Sequence, residues 1–211
     1  MSRTRIKICG ITRAEDLRAA AEAGADAIGL NFYPPSPRFL SIERARELRA
    51  ALPPYVSAVA VFVNAPEADV RRVLEVVRPD ALQFHGEETP AFCDSFGVPY
   101  TKACRVRRGV SAGVDLLEYW RPFSGASGWL ADAYVEEYGG TGKRFDWSVV
   151  PRKLGRPLIL SGGLTSENVR EAIRAVRPWA VDVASGVESA KGIKDAAKIA
   201  AFITEVRNAD A

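Results

Sequence analysis

The sequence predicts an α/β fold, a single-domain TIM (β/α)8 barrel over residues 1–211. Short apolar runs alternate with amphipathic helical stretches along the whole chain, and eight such strand–helix units fit into 211 residues. Three segments repeat one theme, a helix exit feeding a short buried strand: Ala25-Asp26-Ala27-Ile28-Gly29-Leu30, Pro79-Asp80-Ala81-Leu82-Gln83-Phe84 and Trp179-Ala180-Val181-Asp182-Val183-Ala184. A doubly wound sheet is the alternative, but such sheets usually have fewer strands.

The elements follow in order. Arg5-Ile6-Lys7-Ile8 alternates as a strand does, giving a strand over 5–9, and Thr12-x-x-Glu15 reads as a capping box opening a helix over 14–23 that Gly24 closes. A strand over 26–32 leads to a helix over 42–51, which Ser41 caps, and a strand over 57–63 to a helix over 66–77 with Pro66 in its first turn. Strands over 80–85, 99–103 and 128–132 precede helices over 88–96, 114–120 and 146–153. The last two units pair strand 157–161 with helix 166–176, announced by Thr165, and strand 180–184 with helix 194–207.

Composition narrows the class. With 47% hydrophobic and 26% charged residues the chain has the balance of an ordinary globular protein, and no linker or block of like charge divides it. It lacks a run of about 18 apolar residues, and Met1-Ser2-Arg3-Thr4-Arg5 leads into a strand rather than a signal-peptide core, which predicts a cytoplasmic protein without membrane contact. The three cysteines, Cys9, Cys93 and Cys104, are odd in number and widely spaced, which suggests neither a disulfide framework nor a metal cage. A net charge of +3, dispersed along the chain, gives no argument for nucleic acid, whereas an anionic small molecule is compatible with it. The oligomeric state is left open between monomer and homodimer.

In a barrel of this kind functional residues lie just after the strands. Cys9 sits where the first strand stops and a helix begins, a place that favours a thiolate, although most free cysteines are small buried hydrophobes. The loop after the second strand carries Arg38 among prolines; its guanidinium can pair with a carboxylate or phosphate, or lie solvated on the surface. His85 is the only histidine, which excludes a two-histidine metal site and leaves it to orient a loop or ligand or to transfer a proton. Asp132 closes a strand after Trp129-Leu130-Ala131, where an apolar setting could keep it protonated as an acid; capping a loop is the commoner fate. Ser161-Gly162-Gly163-Leu164-Thr165 and Ala184-Ser185-Gly186-Val187-Glu188 follow the seventh and eighth strands, where barrels bind phosphate with backbone N–H groups.

Together Lys7-Ile8-Cys9-Gly10-Ile11-Thr12, Ser36-Pro37-Arg38, Leu82-Gln83-Phe84-His85-Gly86, Asp132 with Gly139-Gly140-Thr141-Gly142-Lys143-Arg144-Phe145-Asp146-Trp147, and the two glycine loops above (the second preceded by Asp182-Val183) resemble phosphoribosylanthranilate isomerases in order and spacing over nearly the whole chain. The resemblance implies an Amadori rearrangement, N-(5-phosphoribosyl)anthranilate to 1-(2-carboxyphenylamino)-1-deoxyribulose 5-phosphate, in tryptophan biosynthesis, without metal or organic cofactor. It also implies Cys9 as general base, Asp132 as general acid, Arg38 on the anthranilate carboxylate, and Gly162, Gly163, Ser185 and Gly186 on the phosphate, with His85 in the substrate site. The chemistry agrees: opening an aminofuranose needs an acid, and converting the imine to an enolamine needs a base. A helix N-terminus would help the thiol ionise, and so would Lys7 unless strand alternation points it elsewhere. The chain departs from the family pattern at Ser161 and over Ser189–Asp195, where a proline–glycine pair is frequent. A related dual-substrate isomerase would carry aspartate in place of Cys9, and a binding protein that has lost turnover would not need Cys9 and Asp132.

Overall fold

The structure is a computed structural model that describes residues 3–107, 116–134, 150 and 155–211. Eight parallel strands close a barrel in chain order: β1 (Arg5–Cys9), β2 (Ala27–Asn31), β3 (Ser57–Phe62), β4 (Ala81–Phe84), β5 (Tyr100–Arg107), β6 (Gly128–Tyr134), β7 (Leu158–Ser161) and β8 (Ala180–Val183), with β8 returning to β1. The helices described are α1 (Ala14–Ala23), α2 (Ile42–Ala50), α3 (Glu67–Val76), α4 (Pro90–Asp94), α5 (Leu116–Trp120), α6 (Val169–Val176) and α7 (Ala196–Asp210). No described helix is long and apolar enough to cross a membrane.

Register divides each strand between two environments. Ile8, Ile28 and Ala58 are aligned across β1, β2 and β3, and Phe62 and Phe84 across β3 and β4; all face outward into a shell filled by residues such as Leu17 on α1, Leu48 on α2 and Phe96 just after α4. Phe84 alone meets Phe92, Phe96 and Tyr100 with ring centroids 5.7–5.8 Å apart. Burying each such side chain contributes roughly 1.5–3 kcal/mol. The alternate positions, Cys9, Gly29 and Val59 in one row and Asn31, Val61 and Gln83 in another, point into the lumen.

Several local expectations are corrected. Thr12 does not cap α1: the N-cap is Arg13, and the Thr12 hydroxyl donates instead to the Gly192 carbonyl (2.6 Å), tying the start of the chain to a small hairpin of β9 (Glu188–Ala190) and β10 (Ile193–Lys194). Strand β6 continues through Tyr134, so Asp132 lies inside a strand rather than closing it, because pairing with β5 runs on through Arg105 opposite Asp132. Thr165 precedes a turn, not the helix; α6 begins at Val169 after Asn168, whose side chain accepts from the Thr165 amide. Ser41 and Gly24 cap as expected. The helix over 146–153 and the Gly139–Lys143 loop lie outside the described residues.

Candidate active site

At the C-terminal end of the barrel a cavity of about 700 Å3 opens over the lumen. Of the residues singled out from the sequence, Cys9, Arg38, His85, Asp132, Gly162, Gly163, Ser185 and Gly186 line it. A smaller hollow of about 380 Å3, lined by Arg49, Tyr55 and Asp80, holds only an ion pair already closed, Arg49 to Asp80 at 2.9 Å.

Cys9 ends β1 with its sulfur against Gly29 on β2: a Cβ at residue 29 would sit 2.6 Å from Sγ, so only glycine leaves the thiol its place. The expectation of a favoured thiolate is corrected. Burial pushes the Cys9 thiol above its ordinary pKa; Lys7 pulls it back, Asp182 pushes it further up, and Lys194 pulls it down, with a net rise. The expected helix end is four residues away, since α1 is capped at Arg13.

Lys7, two residues before Cys9 and on the same face, is buried in the lumen and donates to Asp182 Oδ2 (2.8 Å) and Gln83 Oε1 (3.0 Å). Burial works against its ammonium, but Asp182 and Cys9 outweigh burial and hold its pKa above the usual lysine value. Asp182 Oδ1 is buried with no hydrogen-bond partner among the described residues. Across the lumen His85 Nε2 lies 2.9 Å from Asp132 Oδ2, and His85 Nδ1 lies 3.0 Å from Gln83 Nε2.

Arg38 reaches the cavity edge past Gly10, where a Cβ would meet the arginine stem at 2.3 Å. Its Nε and Nη2 donate to the two oxygens of Glu188, each at 2.7 Å, and Lys194 donates to the same carboxylate at 2.8 Å. Burial disfavours the Glu188 carboxylate, but these bonds outweigh it and hold its pKa below the usual range. Arg38 is thus set in orientation by Glu188 rather than solvated.

The loops after β7 and β8 meet backbone to backbone. Gly162 and Gly163 both have positive φ (+88° and +62°), and a Cβ on Gly186 would lie 1.9 Å from the Leu164 carbonyl oxygen. The amides of Gly162 and Gly163 have no backbone partner among the described residues. Donors of this kind beside a cavity suit an anion.

A family model described as N-(5'-phosphoribosyl)anthranilate (PRA) isomerase matches residues 6–205. The chain belongs to this family. An N-(5'-phosphoribosyl)anthranilate isomerase from Azotobacter vinelandii is 57% identical over 210 residues, covering 99% of this chain and all of the relative, and one from Dechloromonas aromatica is 54% identical over 208 residues, covering 99% and 98%. The crystal structure of phosphoribosyl anthranilate isomerase from Thermotoga maritima superposes with a TM-score of 0.88 at 42% identity, over 97% of this chain and 99% of that one. A second such structure, in complex with reduced 1-(o-carboxyphenylamino)-1-deoxyribulose 5-phosphate, gives a TM-score of 0.85 at 39% identity with the same coverage.

Reading the sequence missed roles for Gln83, Asp182, Glu188 and Lys194. A signal was present for one of them. Asp182, like Lys7 on β1, is a charge at a buried position inside a strand, and such charges are rarely buried unless paired.

Proposed function

We propose that the chain is a cytoplasmic, cofactor-independent isomerase that converts N-(5-phosphoribosyl)anthranilate to 1-(2-carboxyphenylamino)-1-deoxyribulose 5-phosphate in tryptophan biosynthesis. The observation that carries the reading is the meeting of Cys9 from β1 and Asp132 from β6 in one cavity, together with Arg38 and the two glycine-bearing loops. The reduced product analogue bound by the related protein carries a carboxylate and a phosphate. Arg38 suits the first and the Gly162-Gly163 and Ser185-Gly186 backbone the second.

In this mechanism Asp132 gives its proton to the furanose ring oxygen, the C1–O bond breaks, and the anilino nitrogen's lone pair forms the imine. The Cys9 thiolate then takes the C2 proton, and the enolamine that results tautomerises to the ketone. The active form therefore carries a protonated Asp132 and an ionised Cys9. Lys7 is the charge nearest in the chain that favours the latter, and three free cysteines fit a reducing compartment.

The test is loss of anthranilate-type fluorescence from freshly generated substrate in metal-free buffer. Wild type should consume it rapidly. Cys9→Ala and Asp132→Asn should each lose on the order of 10²–10⁴-fold in kcat, the usual worth of a general base or acid, while still binding the reduced product analogue. Full turnover in either variant would remove that residue from its role.

A further inference from the structure

The acid–base reading leaves one feature of the lumen without a role, a continuous run of hydrogen bonds from β8 to β6. It passes from Asp182 Oδ2 to Lys7 Nζ (2.8 Å), on to Gln83 Oε1 (3.0 Å), from Gln83 Nε2 to His85 Nδ1 (3.0 Å), and from His85 Nε2 to Asp132 Oδ2 (2.9 Å). Each link dictates the next. An ammonium has only donors, so the oxygen of the Gln83 amide must face Lys7. The amide nitrogen then faces His85, and because it only donates, Nδ1 must be the unprotonated ring nitrogen. A neutral imidazole so held carries its proton on Nε2 and donates it to Asp132 Oδ2. Turning the amide over would set donor against donor at the Lys7 end, and an imidazolium would do the same at the Gln83 end.

We infer that Gln83, oriented by Lys7, is a positioning residue for the acid: it locks His85 as the Nε2–H tautomer, which grips Asp132 by Oδ2 and leaves Oδ1 to carry the proton for the substrate. The inference rests on the reading of Asp132 as the acid and adds the side chains that aim it. His85 then transfers no proton; with the opposite tautomer its Nε2 would be an acceptor, and the Asp132 proton would be drawn onto Oδ2 and into the bond with His85. Charged groups approach His85 from the neighbouring strands. Asp132 on β6 is the carboxylate in contact, and Arg105 on β5 lines the same cavity. From β1 and β8 the Lys7–Asp182 pair is reached only through Gln83, and the β3 side presents Val61 and Val63.

His85 is the only histidine of the chain, so nitrogen NMR of histidine-labelled protein reads one imidazole without assignment. Wild type near neutral pH should give a protonated-type Nε2 and an unprotonated-type Nδ1. A protonated Nδ1 in wild type, in either the neutral or the cationic ring, overturns the inference whatever the activity. Gln83→Glu keeps the size of the side chain and its contact with Lys7 but offers His85 an acceptor. It should move the proton to Nδ1 and lower kcat about tenfold or more with KM changed less than about twofold, the pattern of a lost transition-state function. If residue 83 only fills space, Gln83→Glu keeps both the wild-type tautomer and the wild-type kcat, and that result also overturns the inference. The two readings fail separately. Full turnover by Asp132→Asn would remove the acid and the purpose of the grip, whereas inactive Asp132→Asn beside an Nδ1–H wild type would sink the grip alone.

Discussion

Two lysines buried in this barrel have the same surroundings on paper and opposite consequences. Lys7 on β1 and Lys102 on β5 both lie within strands, both are shielded from solvent, and both donate to a carboxylate at 2.8 Å. Lys102 points outward into the helix shell, 5.2 Å from the Phe123 ring, and also donates to the Gly86 carbonyl (2.6 Å). Its partner Glu88 is fully occupied: Oε1 accepts from the Asn64 and Gly86 amides, and Oε2 from Lys102 and Gly86. Lys7 points inward under the cavity, and its partner Asp182 keeps one oxygen without a hydrogen bond among the described residues. A buried ion pair is therefore not a sign of function by itself. What separates the two is the open acceptor and the neighbouring cavity, since a closed network in a low-dielectric setting holds a loop in place while an open one still has chemistry to do.

The largest effect that would break this comparison is on stability. Lys102→Met strands the Glu88 carboxylate in the shell and should cost about 3–5 kcal/mol of unfolding free energy. Urea denaturation measures it, and the molecules that remain folded should keep most of their turnover. A stable, inactive Lys102→Met would mean that the outer pair belongs to the site after all. The next effect falls on activity. Lys7→Met removes the cation that pulls the Cys9 pKa down, so the thiol, already raised by burial, rises further. A general base works only when deprotonated, so kcat/KM should climb with pH as Cys9 ionises, and in Lys7→Met that climb should move to higher pH. At neutral pH, below the raised thiol pKa, Lys7→Met should therefore turn over more slowly than wild type. A pH–rate profile whose position does not move would separate Lys7 from the thiol.

The same distinction explains what the sequence could disclose. The strands were legible because buried parallel strands are continuous apolar runs: the runs at 5–9, 57–63 and 80–85 end within a residue of β1, β3 and β4. β5 and β6 extend past their apolar runs, through Arg105 and Asp132, because the pairing of the two strands, not local composition, carries them on. At the site, Cys9, Arg38, His85 and Asp132 stand out by residue type at strand ends. Gln83 and Glu188 do not, since their roles come from who faces them across the lumen, Lys7 from 76 residues away and Arg38 from 150. The thiolate expected at Cys9 failed for the same reason. A strand end next to a helix start is local information, and the burial that governs the thiol is not.

The smallest effect sharpens the comparison through the other two thiols. Cys93 and Cys104 lie in the outer shell, both near Lys102, and burial dominates there as well, pushing Cys93 up to about 12 and Cys104 up to about 11. Each keeps its proton in the folded protein at a pH where the unfolded chain has lost it. The unfolded state then binds fewer protons, so stability is full below the unfolded thiol pKa of about 8.5 and falls as pH rises above it. At pH 9 the loss should be about 0.8 kcal/mol for each thiol. Denaturation midpoints compared at pH 7 and pH 9 measure the sum, and Cys93→Ala with Cys104→Ala, although less stable at both pH values, should flatten the slope between them. Cys9→Ala provides the contrast. Burial raises its pKa as well, so its removal should also flatten the unfolding slope, but its thiol alone of the three borders the cavity, so its removal alone should change the pH dependence of turnover. If all three thiols altered the unfolding slope equally and none altered the rate profile, inside and outside would be equivalent in this barrel, and the lumen would lose its claim to be the site of chemistry.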